Sequence, residues 1–219
     1  MTSAVPAPRV PRRIPRRTTH LLLGLFLYGI SIALIARGQI GAAPWDVLSQ
    51  GITNHVPLSF GTVTILTSIA VLLVWIPIRQ RPGVGTVLNA ILVGPAADVG
   101  LWLIPTDLPL PLRLLSFAAG VLLLACATGI YIGASFGPGP RDGLMTGLHR
   151  LTGKPIWIVR TGIEATVVTI GWLLGGNIGI GTLIFALTIG PLCQRTIPLF
   201  RLRLPADAPE QAPLEPQRR

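Results

Sequence analysis

An offset of 96 residues lays the chain on itself without a gap from Gly24 to Pro95. Gly41, Pro44, Asp46, Leu48 and Gly51 fall on Gly137, Pro140, Asp142, Leu144 and Gly147. Further on, Gly83, Gly85, Thr86, Ala90, Gly94 and Pro95 fall on Gly179, Gly181, Thr182, Ala186, Gly190 and Pro191. Two separate clusters at one constant offset identify an internal duplication, so a fold proposed for one half must serve the other.

Hydropathy says what each half contains. Half of the 219 residues are hydrophobic and only 12% are charged, against about 25% in soluble domains. The 25 glycines and 21 prolines are too many for a soluble bundle, yet both residue types are common in membrane helices. Candidate spans cover 21–37, 59–78, 84–104, 113–134, 156–174 and 178–199, near the length a bilayer core demands. Three spans per half is an odd number, so the halves must insert in opposite senses. The expected fold is an all-α membrane protein. It has six transmembrane helices as two inverted-topology three-helix repeats, over 20–107 and 108–204, with short interfacial or re-entrant helices between spans. Residues 1–19 and 205–219 lack apolar periodicity and read as disordered, cytoplasmic tails, the first of them basic. The apolar run after RRIPRR has no small-x-small cleavage site, and its counterpart lies mid-chain, so it reads as a span and not a signal peptide.

Charge placement orients the spans. With the N-terminus inside, fifteen Lys and Arg residues fall on the cytoplasmic side, Arg37 and Arg113 fall outside, and Arg160 lies within a span. Both termini are expected in the cytoplasm. Trp45, Trp102 and Trp172 fall at outer span ends, with Trp75 and Trp157 at inner ends, where an aromatic belt would place them. The net charge of +10 forms no basic stripe with interleaved aromatics, so nucleic acid is excluded as a partner.

Between spans, GAAPWDVLSQG at 41–51 and GPGPRDGLMTG at 137–147 are too short and polar to cross. Proline followed two residues later by aspartate starts a helix: the missing N–H would be orphaned anyway, and the carboxylate meets the free amides. Two readings of Asp46 and Asp142 stand side by side. Each carboxylate caps its own short helix, or the two form pseudo-symmetric sites for a cation, proton or substrate. Gly51 and Gly147 either end these helices or pack closely. In the second motif cluster, Thr86, Ala90 and Gly94, and likewise Thr182, Ala186 and Gly190, recur every four residues. That gives the third and sixth spans small-residue faces suited to packing on each other. Pro95 and Pro191 should kink or break those helices.

These paired motifs, G-x-x-P-[WR]-D-x-L-x-x-G and G-x-G-T-x-x-x-A-x-x-x-G-P, resemble those of the YczE-like membrane proteins, in the wider YczE/YyaS/YitT group. The resemblance covers about residues 20–200 and implies an integral protein of the bacterial plasma membrane, without implying a substrate. Trp45 in the first motif is Arg141 in the second, so two sites built on them would differ.

Ionisable groups inside spans are functional candidates by default. Glu164 sits mid-span in the fifth, with Arg160 four residues earlier on the same face, close enough to neutralise it. Asp98 lies in the outer part of the third span, where water can reach it. Asn89 can hydrogen-bond a neighbouring helix, although its repeat partner is Phe185. Cys126 and Cys193, like His20, His55 and His149, show no ligand spacing, so neither metal nor cofactor is expected.

The expected function is a small gradient-driven transporter or permease. Glu164, Asp46, Asp142, Arg141, Arg160 and Asp98 are its candidate substrate or ion contacts, and no P-loop is present to burn ATP. The alternatives are a membrane scaffold or assembly protein, or the substrate-binding subunit of a larger transporter. An enzyme finds least support, because no nucleophile with a base is evident. Expected partners are the lipid bilayer and a small-molecule or ion substrate, with a second copy or another membrane protein compatible.

Overall fold

In a computed structural model of the chain, residues 14–200 are described, and they form eight α-helices and no strand. These are α1 (Ile14–Gly38), α2 (Pro44–Thr53), α3 (Phe60–Trp75), α4 (Val84–Leu103), α5 (Leu110–Gly133), α6 (Pro140–Thr152), α7 (Ile156–Leu173) and α8 (Ile180–Phe200). The first four helices and the last four begin at the same 96-residue offset. Local chemistry explains these starts. Proline opens α2 and α6, and prolines cap α5 and α7. Ser59 caps α3 by accepting from Thr62 N, and Thr86 Oγ1 accepts from Gly83 N at the head of α4. Gly153, at φ 68°, ends α6 in the left-handed region that glycine tolerates.

Five helices, α1, α4, α5, α7 and α8, are long and apolar enough to cross a membrane. The sixth expected span is shorter than its hydropathy suggested. α3 is apolar but has 16 residues, because Pro77 has no N–H to carry the helical ladder on and the chain turns through 76–79. Residues 14–19, expected in the N-terminal tail, instead form the first turns of α1. The rest of that tail and the C-terminal one lie outside the described residues.

α1 and α5 run against each other at the centre, where glycines remove the side chains that would hold them apart. Gly24 lies on the Tyr131 backbone, Gly120 on Ile35, and Gly38 on Phe117. α4 flanks α1 through Gly29 and Gly100, while α8 flanks α5, where Thr196 Oγ1 donates to Ala125 O at 2.6 Å. In lipid no hydrophobic drive pulls helices together, so close backbone approach and dispersion contacts must hold them. A second cluster, Trp45, Val71, Trp75, Leu144 and Val167, joins α2, α3, α6 and α7. Outward faces carry exposed Leu66, Leu73, Ile91, Leu122, Leu183 and Leu187, as lipid contact requires.

Two packing expectations are corrected and one is narrowed. α4 and α8 do not form a packing pair. Thr86 and Ala90 are buried and Gly94 meets Gly61 of α3, whereas Ala186 is exposed and Gly190 faces open space. Thr182 at the head of the α8 stripe is buried against Gly41, but Ala186 and Gly190 have no helix opposite them among the described residues. α4 and α8 also continue through Pro95 and Pro191 without a break. Finally, Trp45 and Trp75 are buried at 7% and 1% exposure and belong to the interior, not to a belt. Trp102, Trp157 and Trp172 are exposed.

Candidate functional site

The starts of α2 and α6 meet at a cavity of about 210 Å³ to which all eight helices contribute. Glycine makes the approach feasible. Gly41 and Gly137 take φ of 134° and 111°, a region a Cβ disfavours, and turn the chain from α1 into α2 and from α5 into α6. Each turn is tied down by the spanning helix that follows its partner. Gly181 N donates to Ile40 O at 2.8 Å and Gly85 N to Phe136 O at 2.9 Å, again at the 96-residue offset. Thr86 Oγ1 adds a bond to Pro138 O at 2.7 Å. Further along α2, Gly51 packs on Gly171 of α7, while on α6 Gly143 lies under the Trp75 indole. That indole donates Nε1–H to Pro140 O at 3.1 Å, fixing the first turn of α6 against α3.

Neither short-helix carboxylate caps its own helix. Asp46, 2% exposed, points across the cavity, where its Oδ1 accepts from Arg141 Nη1 at 3.4 Å. The Arg141 guanidinium also lies over the Trp45 ring, 5.2 Å from its centroid. Asp142 accepts from the Tyr131 hydroxyl at 2.6 Å, and Tyr131 stands edge-on to Tyr28. On the α7 wall, Arg160 Nε donates to Glu164 Oε1 at 2.8 Å, so the expected i,i+4 pair forms and faces the cavity. Two buried polar atoms on the wall have no hydrogen-bond partner among the described residues: Trp45 Nε1 and Thr64 Oγ1.

Five of the six candidate contacts thus converge: Asp46, Asp142, Arg141, Arg160 and Glu164. Asp98 does not. It accepts from Ser59 Oγ at 2.6 Å and from Gly61 N at 2.7 Å, which ties the start of α3 to α4.

A model of a family of unknown function, DUF6198, matches residues 15–198. The chain belongs to that family. It is 38% identical over 174 residues to an uncharacterized protein of Haemophilus influenzae, covering 80% of each chain. It is 31% identical to the uncharacterized membrane protein YczE of Bacillus subtilis, over 83% of this chain and 86% of that one. The uncharacterized protein YyaS of the same organism is 26% identical over 81% and 90%. No solved structure is significantly similar. The YczE-like resemblance read from the motifs is thereby shown, and with the apolar helices it makes this DUF6198 chain a membrane protein.

Sequence reasoning missed several residues of this DUF6198 cavity. Thr64 and Ser68 of α3 stand at the positions that Arg160 and Glu164 occupy in α7. The offset could have paired them. Tyr28, in the middle of α1, and Tyr131, in the last turn of α5, are the chain's only tyrosines and both line the cavity, a placement unlike the usual interfacial one. The span-end position of Trp45 suggests a belt, although its place in the motif next to Asp46 points inward.

Proposed function

We propose that the chain is a small gradient-driven transporter or permease of the bacterial plasma membrane. In this reading it is multi-pass, with α3 as the sixth span, two inverted three-helix repeats and both termini cytoplasmic. The single observation that carries the reading is the cavity. A buried space walled by all eight helices, with ionisable groups from both halves, is what inverted-repeat transporters build where short half-helices meet. The common offset of the helix starts and of the Gly85 and Gly181 hydrogen bonds supports the repeat. The distribution of Lys and Arg supports the orientation.

The mechanism is rocking of one repeat against the other about the α1–α5 contact, exposing the cavity to one face and then the other. Asp46–Arg141 crosses between the halves and is the contact that such a motion must remake. Asp46, Asp142 and Glu164 are the groups on which ion or proton coupling would rest. No bond is made or broken in the solute, so the reading is not that of an enzyme, and one chain supplies every wall.

Accessibility tests it. A cysteine placed at Ser68, with Cys126 and Cys193 replaced by serine, is exposed to a membrane-impermeant thiol reagent in right-side-out and inverted vesicles. Alternating access predicts modification from both faces, suppressed from both by a bound substrate. Modification from one face only would end the transport reading and favour a scaffold or a receptor-like subunit.

A further inference from the structure

Three carboxylates and two guanidiniums line the cavity, and the donors they leave unanswered bear on what it can hold. Among its carboxylates, Asp142 is engaged by Tyr131 at 2.6 Å and Glu164 by Arg160 at 2.8 Å. Asp46 is reached only by Arg141, at a long 3.4 Å, and that is the one hydrogen bond Arg141 makes among the described residues. A guanidinium offers five N–H donors, so most of this one remains unanswered in a half-buried place. Trp45 Nε1, which can only donate, and the Thr64 hydroxyl on the α3 wall are buried and unpartnered among those residues. Leaving such groups unmatched away from water costs free energy, and an acceptor between them removes that cost.

The remainder of the wall is apolar, and its size matters. About 210 Å³ is below the roughly 300–1,000 Å³ of ordinary ligand pockets, so a head group fits and a body of any length does not. α7 and α8 both line the cavity yet scarcely touch each other, and Gly162 and Gly190 have nothing beside them. The corresponding seam in the first half is shut by Gly61 against Gly94. At the position of Gly61 the second half has Trp157, too large for the same closure. Phe185, Ile189 and Ile197 give the α8 side of the cavity an apolar lining.

We propose that the cavity binds an amphipathic organic anion, its acidic head held by Arg141, Trp45 Nε1 and Thr64 Oγ1 and its apolar chain leaving between α7 and α8. The inference rests on the transport reading only for the steps after binding. A carboxylate and a phosphate monoester share the required chemistry, and probes of each kind separate them.

The test is calorimetric titration of the full chain in a nonionic detergent, against detergent blanks, with potassium octanoate, octyl phosphate, octylammonium and acetate. Saturable binding is expected for octanoate or octyl phosphate, with acetate at least tenfold weaker and octylammonium silent. The tighter of the two anions names the head group. Arg141→Gln is expected to weaken binding at least tenfold. Because Arg141 also faces Asp46, Trp45→Phe and Thr64→Val are run beside it, each expected to weaken binding about three- to tenfold with a melting temperature near that of the parent. Binding of octylammonium in preference to the anions would overturn the proposal, as would binding by no probe or binding indifferent to all three substitutions. The cysteine at position 68 keeps the two readings apart. Access from both faces without anion binding sinks only the ligand class, and anion binding with access from one face sinks only transport.

Discussion

Asp46 and Arg141 stand 95 positions apart in the chain and meet across one cavity, Oδ1 to Nη1 at 3.4 Å. They occupy neighbouring positions of the same repeated motif, the second and third residues after Gly-x-x. The first half supplies the carboxylate and the second the guanidinium, which stands where the first half has Trp45. The duplication is thus used asymmetrically, and one copy's departure from the motif neutralises the other copy's charge.

Removing either partner leaves a buried charge unanswered. Breaking a buried pair costs about 3–5 kcal/mol in well-made cases. The 3.4 Å separation puts this pair at or below the lower end. Asp46→Asn and Arg141→Gln should each lower the melting temperature. The double variant should be more stable than the two losses added together imply, with a coupling of about 1–2 kcal/mol. Thermal melts of the four proteins in one detergent measure it, and strict additivity would mean that the two groups do not interact.

Tyr131 hydroxyl to Asp142 Oδ2, at 2.6 Å, is the shorter contact and ties α5 to the first turn of α6. A hydrogen bond to a charged group contributes about 1.5–3 kcal/mol. Tyr131→Phe is expected to cost about that much and to free the Asp142 carboxylate toward the cavity. Its effect should vanish in an Asp142→Ala background, which leaves no acceptor, if the hydroxyl acts only through this bond. A loss of equal size in both backgrounds would assign the effect to ring packing against Tyr28.

How much of this was legible depends on whether the signal was local. The duplication, the apolar segments and the proline-initiated short helices were readable because each lies in a few adjacent residues or in one constant offset. So were Glu164 and Arg160, whose pairing is fixed by helical spacing. The partners of Asp46 and Asp142 were not. A capping rule sees only the chain's own next turn, whereas the structure sends both carboxylates to another element, Arg141 of α6 and Tyr131 of α5. Thr64 was invisible for a different reason, since a hydroxyl within a span ordinarily satisfies itself on the preceding turn and signals nothing. The pairing of the third span with the sixth failed because small residues permit close approach without naming the partner. α4 spends Gly94 on α3 and Thr86 on the turn before α6, whereas Ala186 and Gly190 of the equivalent stripe on α8 remain open.

Asp98 gives a contrast between a half-buried carboxylate that builds the fold and those that line the cavity. It accepts from Ser59 Oγ and Gly61 N at the start of α3 and does not reach the cavity wall. Asp98→Ala should therefore cost about 1–3 kcal/mol of stability through the lost bonds to the head of α3. At a temperature where the variant is folded, ligand binding should be unchanged. Glu164→Gln should show the opposite balance, a small change in melting and a measurable change in binding, because its pair with Arg160 is part-exposed and faces the cavity. Melting and titration of both variants decide the assignment.

Gly94 and Gly190 are the same residue of the same motif in the two halves, and the structure gives them opposite surroundings. A Cβ on Gly94 would enter the Gly61 backbone of α3, which cannot yield without parting the two helices. A Cβ on Gly190 would meet nothing within 4 Å. In a helix interior alanine is favoured over glycine by about 1 kcal/mol, so without a clash the substitution should stabilise slightly. Gly94→Ala is expected to destabilise by more than that gain, through overpacking that typically costs about 1–3 kcal/mol. Gly190→Ala is expected to be neutral or up to about 1 kcal/mol stabilising. Comparing the two melts requires neither substrate nor assay. Equal losses would mean that the seam between α7 and α8 closes as tightly as the one between α3 and α4, and the ligand's apolar chain would have no exit.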